Sequence, residues 1–240
     1  MKALVVNGSP RITRSITYRI LCPLLEGMQA AGAETELIHL GQLTIHHCRG
    51  CLRCLTKTPA QCVQKDDMTG LLTKMAEADY IVYGTPLYAC TMSGLMKDFV
   101  DRSMPLVGPR LLSGGDMDSR SNRFGRLGKI FLVSTCSSAD HEHFASLVST
   151  FKQIAAEYGS EYVGDILRPF SGPMASVELQ ELFQPYYSLV RQAGEQIIRQ
   201  GHIDAALQAD LQRDLFRMDK ARMHDLTKAH WLIKLQETEH

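Results

Sequence analysis

Short apolar runs alternate with longer amphipathic stretches along the first 200 residues. Five runs have the length and composition of β-strands, and they lie at residues 3–6, 34–40, 79–84, 129–134 and 161–167. The helical period predicts helices over residues 15–31, 66–78, 95–102, 139–158 and 177–200. Because strand and helix alternate five times, the pattern predicts an α/β fold, a three-layer doubly wound parallel sheet of five strands.

Three stretches depart from this alternation. Residues 44–65 form an irregular, cysteine-bearing insertion, and residues 105–128 predict a long surface loop that carries Arg110, Arg120, Arg123 and Arg126. Beyond residue 200, two charged amphipathic stretches at 203–216 and 220–236 predict a helical C-terminal extension, 201–240. Its last helix carries an apolar patch of Trp231, Leu232, Ile233 and Leu235. The patch packs on its own domain or docks on a second subunit, and we favour an oligomerisation role because the five-strand core is already complete.

Composition excludes several classes of partner. The chain has 240 residues, with 26 basic and 26 acidic side chains, so neither nucleic acid nor an anionic membrane surface is expected as a partner. The chain enters its first strand without a leader pattern, and the charge-free stretch 80–96 is interrupted by glycine and proline, so we expect a cytoplasmic protein without a membrane span. Four of the seven cysteines fall within fifteen residues, which in a reducing compartment favours metal or redox chemistry.

A hydroxyl-rich turn follows the first strand. Gly8 and Pro10 turn the chain, and the next residues lead into the N-terminus of a helix, where free N–H groups and the helix dipole favour an anion. The candidate donors are Ser9, Arg11, Ser15 and Thr17. The turn has neither the P-loop pattern nor the dinucleotide glycines, so it suits a single phosphate such as that of FMN. An ordinary strand–turn–helix with hydroxyl caps explains the spacing equally well.

Two further loops are expected at the same edge of the sheet, because ligands bind beyond the carboxyl ends of the strands. Residues 85–94 would present an apolar edge and backbone N–H groups to a flat ring, through Pro86, Leu87, Tyr88, Met92, Ser93 and Gly94. Residues 134–138 would cover the other edge through Ser134, Thr135 and Cys136. Ordinary turn chemistry explains each loop alone, and their coincidence on one rim favours a flavin site.

Three motifs together resemble a known family. Residues 7–11 (NGSPR), 84–88 (GTPLY) and 93–102 (SGLMKDFVDR) are similar to the NADPH-dependent FMN reductase family, and specifically to its iron–sulfur flavoprotein branch. The resemblance covers residues 1–200 and implies a flavodoxin-like FMN-binding domain, reduction by NAD(P)H or another donor, and homodimers or homotetramers. The family often has Gly-Asn-Thr where this chain has residues 14–17 (RSIT), so which hydroxyl contacts the phosphate stays open.

The four-cysteine motif is Cys48, Cys51, Cys54 and Cys62, with gaps of two, two and seven residues. Thiolates at this spacing can wrap an iron–sulfur cluster, whose charge Arg49, Arg53 and Lys57 would offset. Zinc bound by four thiolates, or by three with His46 or His47, is an alternative, and so is a segment without metal. The resemblance implies a [4Fe–4S] cluster that passes electrons to FMN.

The main functional prediction is an FMN-dependent oxidoreductase that accepts a hydride from NAD(P)H and reduces a flavin, a quinone or another small acceptor. No catalytic side chain is predicted, because the flavin carries the chemistry. The alternative is an electron carrier that relays single electrons between a ferredoxin-like partner and FMN through the cluster. A third hypothesis is a flavin-binding or zinc-stabilised module that senses redox state without turnover.

Overall fold

The computed structural model describes residues 1–107, 127–176, 178–216 and 219–237. Its five parallel strands have the order β2-β1-β3-β4-β5. They are β1 (Lys2–Asn7), β2 (Glu34–His39), β3 (Tyr80–Pro86), β4 (Lys129–Thr135) and β5 (Tyr162–Arg168). The predicted doubly wound sheet is confirmed, and this order is flavodoxin-like, with its switch point between β1 and β3.

Eight α-helices lie in the described part of the chain. They are α1 (Ile16–Ala30), α2 (Arg53–Thr56), α3 (Met68–Glu77), α4 (Gly94–Asp101), α5 (Ala145–Glu157), α6 (Gln180–Gln200), α7 (Ala205–Gln212) and α8 (Lys220–Glu237). The helices predicted from residues 139 and 177 begin later, at Ala145 and Gln180. In each case a 3₁₀ turn, His141–Phe144 or Gly172–Ala175, occupies residues before the α-helix.

Helices cover both faces of the sheet because neighbouring strand residues point to opposite sides. On one face, Leu4 and Ile81 pack with α3, α4 and α5, while on the other Val5 and Val82 pack with α1 and α6. Helices α1 and α6 approach closely: a Cβ atom added to Gly194 would lie 2.2 Å from the carbonyl oxygen of Leu24. Glycine is therefore required at this crossing.

The beginning of the C-terminal extension packs on the domain that precedes it. Leu207 and Leu211 of α7 join the core between the sheet and α6. The buried guanidinium of Arg168, at the end of β5, donates to the carbonyl of Leu211 and to that of Arg213 (3.0 Å). In α8, Met223 is buried against Ala139 and Phe170. The extension is thus joined to β5 and to the chain that follows β4 and β5.

Two predicted features fall largely outside the described residues. Residues 108–126 of the predicted surface loop, with Arg110, Arg120, Arg123 and Arg126, lie outside them, as do the side chains of Trp231, Ile233 and Leu235. Leu232 of the same patch is described and is 53% exposed. The oligomerisation role stays a prediction. Among the described helices, none combines the length and apolar character that crossing a bilayer requires.

Candidate functional site

Three loops meet at the carboxyl edge of the sheet, at residues 8–17, 85–94 and 134–138, and we call them the rim loops. They follow β1, β3 and β4, which are neighbours in the sheet. The N–H of Gly8 donates to the carbonyl of Gly84 (2.7 Å), and that of Leu87 donates to the carbonyl of Thr135 (2.9 Å). The structure thus brings the three predicted stretches together at one edge.

Asn7 holds the first rim loop in shape. Its Oδ1 accepts the N–H of Ser9 (3.0 Å), and its Nδ2 donates to the carbonyl of Ile12 (3.2 Å). Ile12 has a φ of +51°, an uncommon conformation for a β-branched residue, and the Asn7 bond spans the turn that contains it. Sequence analysis did not single out Asn7. The available signal was an amide side chain on the last residue of a buried strand, directly before a turn.

The first rim loop ends at the N-terminus of α1. The hydroxyl of Ser15 caps this helix by accepting the N–H of Tyr18 (3.1 Å) and also donates to the carbonyl of Ile12 (2.9 Å). The N–H groups of Ile16 and Thr17 precede the first intrahelical hydrogen bond and are available as donors to an anion. Ser9 and Thr17 are buried and Arg11 is exposed. The free N–H groups of the helix, the hydroxyls and the long, exposed side chain of Arg11 fit a phosphate group.

Ser93 joins the second rim loop to the first. Its hydroxyl donates to the carbonyl of Gly8 (2.6 Å) and accepts the N–H of Met96 (3.2 Å), which caps α4. Its own N–H donates to the hydroxyl of Thr85 (3.0 Å). Met92 is buried in the core. Ser93 and Met92 therefore hold the loop in place, and their side chains point into the protein.

The accessible part of the second rim loop lies at its tip. Tyr88 and Thr91 exchange two backbone hydrogen bonds of 2.9 Å around Ala89 and Cys90, whose φ angles are +46° and +62°. Positive φ at both central positions defines a type I′ turn. Tyr88 is 44% exposed, and Pro86 and Leu87 are half-buried. A Cβ atom added to Gly94 would meet no atom within 4 Å, so the space beside the start of α4 is open.

In the third rim loop, one hydroxyl group faces α1, and the two neighbouring side chains are hydrogen-bonded to backbone carbonyls. The hydroxyls of Thr135 and Thr17 are 3.0 Å apart, which links this loop to α1. The hydroxyl of Ser134 donates to the carbonyl of Thr85 (2.8 Å) and is fully buried. Burial raises the pKa of Cys136 to about 11, and its thiol donates to the carbonyl of Ser138 (3.4 Å). Cys136 is therefore a neutral thiol at neutral pH.

The four-cysteine motif lies beyond β2, with Cys48 and Cys51 exposed and Cys54 and Cys62 half-buried. Burial, and then the charges of Cys62, Cys48 and Cys51, raise the pKa of Cys54, so the four thiols share one neighbourhood. Among the described residues, no group of three or more His, Cys, Asp or Glu side chains is arranged as a metal site. The donor set fits a thiolate-ligated metal in its chemistry, but the side chains are not gathered around a common point.

A buried ion pair holds the start of the cysteine segment, which we define as residues 44–65. Arg102, directly after α4, contacts Asp66 through two nitrogen–oxygen distances of 2.7 and 2.9 Å. The same pair holds the His46 peptide, whose N–H donates to Asp66 (3.0 Å) and whose carbonyl accepts from Arg102 (2.7 Å). Burial raises the pKa of Asp66, but the hydrogen bonds from Arg102, His46 and Met68 and the charge of Arg102 together outweigh it, so the net pKa is lowered. Sequence analysis placed Asp66 at the start of a helix and Arg102 in the motif at residues 93–102, but it missed their contact and assigned neither a role.

A second ionisable cluster lies away from the predicted site. A groove of about 770 Å³ between α5 and β5 is lined in part by Lys152 and Asp165. Burial raises the pKa of Asp165, although the hydroxyl of Tyr162 donates to its Oδ2 (2.8 Å). This carboxyl group therefore holds its proton more tightly than an exposed aspartate.

Comparison with known proteins gives consistent results. The family described as NADPH-dependent FMN reductase matches residues 1–164. A relative named "Iron-sulfur flavoprotein", from Archaeoglobus fulgidus, is 43% identical over 103 residues, which are 43% of this chain and 49% of that protein. The chain thus spans about half the length of the curated relatives that it matches.

Solved structures share the fold at low identity. The NAD(P)H:quinone oxidoreductase from Methanothermobacter marburgensis has a TM-score of 0.60 and 13% identity, over 82% of this chain and 98% of that one. An FMN-dependent NADH-azoreductase from Bacillus anthracis, solved in complex with FMN, has a TM-score of 0.59 and 15% identity, over 83% of this chain and 100% of that one. These likenesses confirm the flavodoxin-like fold.

Proposed function

Because the chain belongs to the NADPH-dependent FMN reductase family, we propose that it is an FMN-dependent oxidoreductase. In this proposal residues 1–200 bind FMN, NAD(P)H is the electron donor, and a flavin, a quinone or another small molecule is the acceptor. The observation that carries the proposal is the hydrogen-bonded junction of the three rim loops beside the switch point of the sheet. The cluster of free thiols fits a reducing compartment, and we propose a cytoplasmic location.

The first rim loop would hold the phosphate. Ser9, Arg11 and Thr17 supply hydroxyl and guanidinium donors, and the N–H groups at the start of α1 add the positive end of the helix dipole. The hydroxyl of Ser15 already caps α1, so we assign it the role of fixing the helix start. In this assignment Thr17 is the hydroxyl that contacts phosphate in place of the family's Gly-Asn-Thr threonine.

The other two rim loops would hold the ring. Bound FMN supplies hydride and single-electron chemistry, and the chain's part is to bind and orient it. The edge of the ring would contact Pro86, Leu87 and Tyr88 on one side and Thr135 and Cys136 on the other. The N–H of Gly94, at the start of α4, is positioned by the Ser93 cap to donate to a polar ring atom. Met92, Ser93 and Ser134 support these loops from inside.

The phosphate assignment is tested by hydroxyl removal at matched positions. Thr17→Val should weaken FMN binding by about ten- to a hundredfold, because one hydrogen bond to a charged group is worth about 1.5–3 kcal/mol. Thr150→Val is the control, since the Thr150 hydroxyl in α5 contacts only a carbonyl of its own helix. The measurement is fluorescence titration of apo protein with FMN. Equal affinities in both variants would contradict the assignment, and failure of the unmodified chain to bind FMN would overturn the proposed function.

The electron donor and acceptor are tested on the FMN-loaded protein. We expect steady oxidation of NADPH in the presence of a soluble quinone or free flavin. Reduction only by a low-potential protein such as a ferredoxin, without turnover of NAD(P)H, would reject the reductase proposal and favour the electron-carrier alternative.

The second candidate function is an iron–sulfur flavoprotein that relays electrons between a ferredoxin-like donor and FMN. It is favoured by the shared neighbourhood of Cys48, Cys51, Cys54 and Cys62 and by the names of the relatives. Iron, zinc and flavin are assayed on protein purified without oxygen, and a [4Fe–4S] cluster requires about four irons per chain. Cys54→Ser should abolish the iron and leave FMN affinity unchanged. Protein without iron would exclude this candidate.

The assembly is proposed to be a homodimer or homotetramer built through the C-terminal extension. Exposed Leu232 of the terminal helix is a probe of that surface. Leu232→Glu should shift the mass measured by light scattering towards the monomer. A mass that equals one chain in the unmodified protein would reject the proposal.

A further inference from the structure

The Asp66–Arg102 pair has an unusual setting for an ion pair. Both side chains are only 1% exposed. Removing two charges from water is costly unless further hydrogen bonds satisfy them. Here those bonds go to the cysteine segment: the pair holds both the N–H and the carbonyl of His46.

The pair also closes the cysteine segment on itself. Asp66 directly follows the segment and accepts the N–H of Met68 (3.2 Å), at the start of α3. Next to it, Asp67 accepts the N–H of Thr44 (2.7 Å), the first residue of the segment. The last cysteine of the segment, Cys62, lies close enough for its charge to contribute to the raised pKa of Arg102. Both ends of the segment therefore meet beside the buried pair, with its last cysteine nearby.

One helix connects this point to the rim loops. Helix α4 begins at Gly94, directly after Ser93, whose hydroxyl holds the carbonyl of Gly8. It ends at Asp101, directly before Arg102. Eight helical residues span about 12 Å at 1.5 Å per residue. A movement of the His46 peptide relative to the rim loops must therefore break its bonds to the Asp66–Arg102 pair or displace α4.

We propose that Asp66 and Arg102 are positioning residues that fix the four-cysteine motif at a set place relative to the rim loops. The functional meaning rests on the proposed function, in which the rim loops bind FMN and the motif serves metal or redox chemistry. The pair orients the segment by holding the His46 peptide, and it takes no part in electron transfer itself.

If the Asp66–Arg102 pair served only to stabilise the fold, replacing it with an apolar pair would leave the cysteine segment in place. Well-packed apolar side chains often replace a buried ion pair without loss of stability. An apolar pair cannot hold the His46 peptide, so it separates stability from positioning. The test variant is Arg102→Met with Asp66→Leu. Its control is Lys97→Met with Asp101→Leu, which removes an exposed ion pair from the same helix.

The readout is the alkylation rate of each cysteine in the folded full-length chain, measured at one pH by mass spectrometry of peptides. In the test variant we expect Cys54 and Cys62 to react about tenfold faster, which corresponds to about 1.4 kcal/mol of lost protection. Already exposed Cys48 and Cys51 should change little, and the control should match the unmodified chain. Unchanged rates at Cys54 and Cys62 in a folded test variant would overturn the proposal.

Two further measurements keep the result decisive. If the double variant does not fold, Arg102→Lys is used instead, which keeps the positive charge but loses the bidentate contact with Asp66. It should still increase the alkylation rate of Cys62. An unchanged rate at Cys62 would also overturn the proposal. FMN affinity is measured in parallel. Absence of FMN binding in the unmodified chain would reject the proposed function and leave the alkylation result standing as a property of the segment alone.

Discussion

Ser93→Ala removes a side chain that both joins two rim loops and caps α4. Loss of an N-cap hydroxyl costs about 1 kcal/mol. The carbonyl of Gly8 is buried and would lose its donor, which costs about 1–3 kcal/mol more. The free energy of unfolding should therefore fall by about 2–4 kcal/mol, a large part of the 5–15 kcal/mol of an ordinary domain.

Flavin affinity should fall as well, because Gly8 begins the first rim loop. If ligand binding has to restore about 1 kcal/mol of lost loop order, the Kd for FMN rises about fivefold. The assays are urea denaturation of the apo protein and fluorescence titration with FMN. The control is Asp204→Ala, which removes the cap of α7, away from the rim loops, where Asp204 accepts the N–H of Leu207 (2.8 Å).

The two variants separate capping from loop joining. Asp204→Ala loses the cap and also the hydrogen bond from the Gln196 side chain (2.5 Å), so it should lose about 1.5–2.5 kcal/mol and bind FMN normally. If Ser93→Ala loses no more stability than the control and binds FMN equally well, the Gly8 bond does not organise the rim, and the reasoning fails.

Two further predictions concern stability. Gly194→Ala should lower the melting temperature, because its Cβ would lie 2.2 Å from the Leu24 carbonyl oxygen and overpacking costs about 1–3 kcal/mol. The control is Gly70→Ala in α3, whose Cβ would meet no atom within 4 Å and which should gain up to about 1 kcal/mol. Calorimetry on both variants is the check, and equal shifts in melting temperature would contradict the close helix contact. Burial raises the pKa of Asp165 above the unfolded value of 3.8. The charged carboxylate therefore lowers the stability of the fold at pH values above the folded pKa. Below pH 3.8 the group is protonated in both states, and this cost disappears. Asp165→Asn, which still accepts from Tyr162, should therefore raise stability at pH 7 and give no gain at pH 3; a gain independent of pH would show that the carboxyl charge is not the cause.

The fold was predictable because it depends on local patterns. The five apolar runs are buried strands, and each predicted strand overlaps the observed one. The predicted helix starts at residues 139 and 177 were too early. For the first, the 3₁₀ turn His141–Phe144 is not distinguished from α-helix by hydrophobic spacing. The position of the rim loops was also predictable, since parallel strands place their carboxyl ends at one edge.

The roles of individual side chains in the rim were less predictable. Ser93 and Ser134 are hydroxyls in the right loops, but their acceptors lie 85 and 49 residues away in the sequence. Only the folded chain shows that these hydroxyls are committed to structural bonds. The same reason hid Asp66 and Arg102, whose charges are 36 residues apart in the sequence and in contact in the fold.

The hydrogen bonds of Arg168 bear on the choice of fragments for dissecting this protein. The family match ends at residue 164, before α6, which covers one face of the sheet with α1. A fragment ending there would expose that face to water. A fragment ending at residue 200 would keep α6 but leave the 2% exposed guanidinium of Arg168 without the carbonyls of Leu211 and Arg213. The smallest fragment expected to fold like the whole chain therefore extends at least through Arg213, well beyond the boundary that sequence similarity marks.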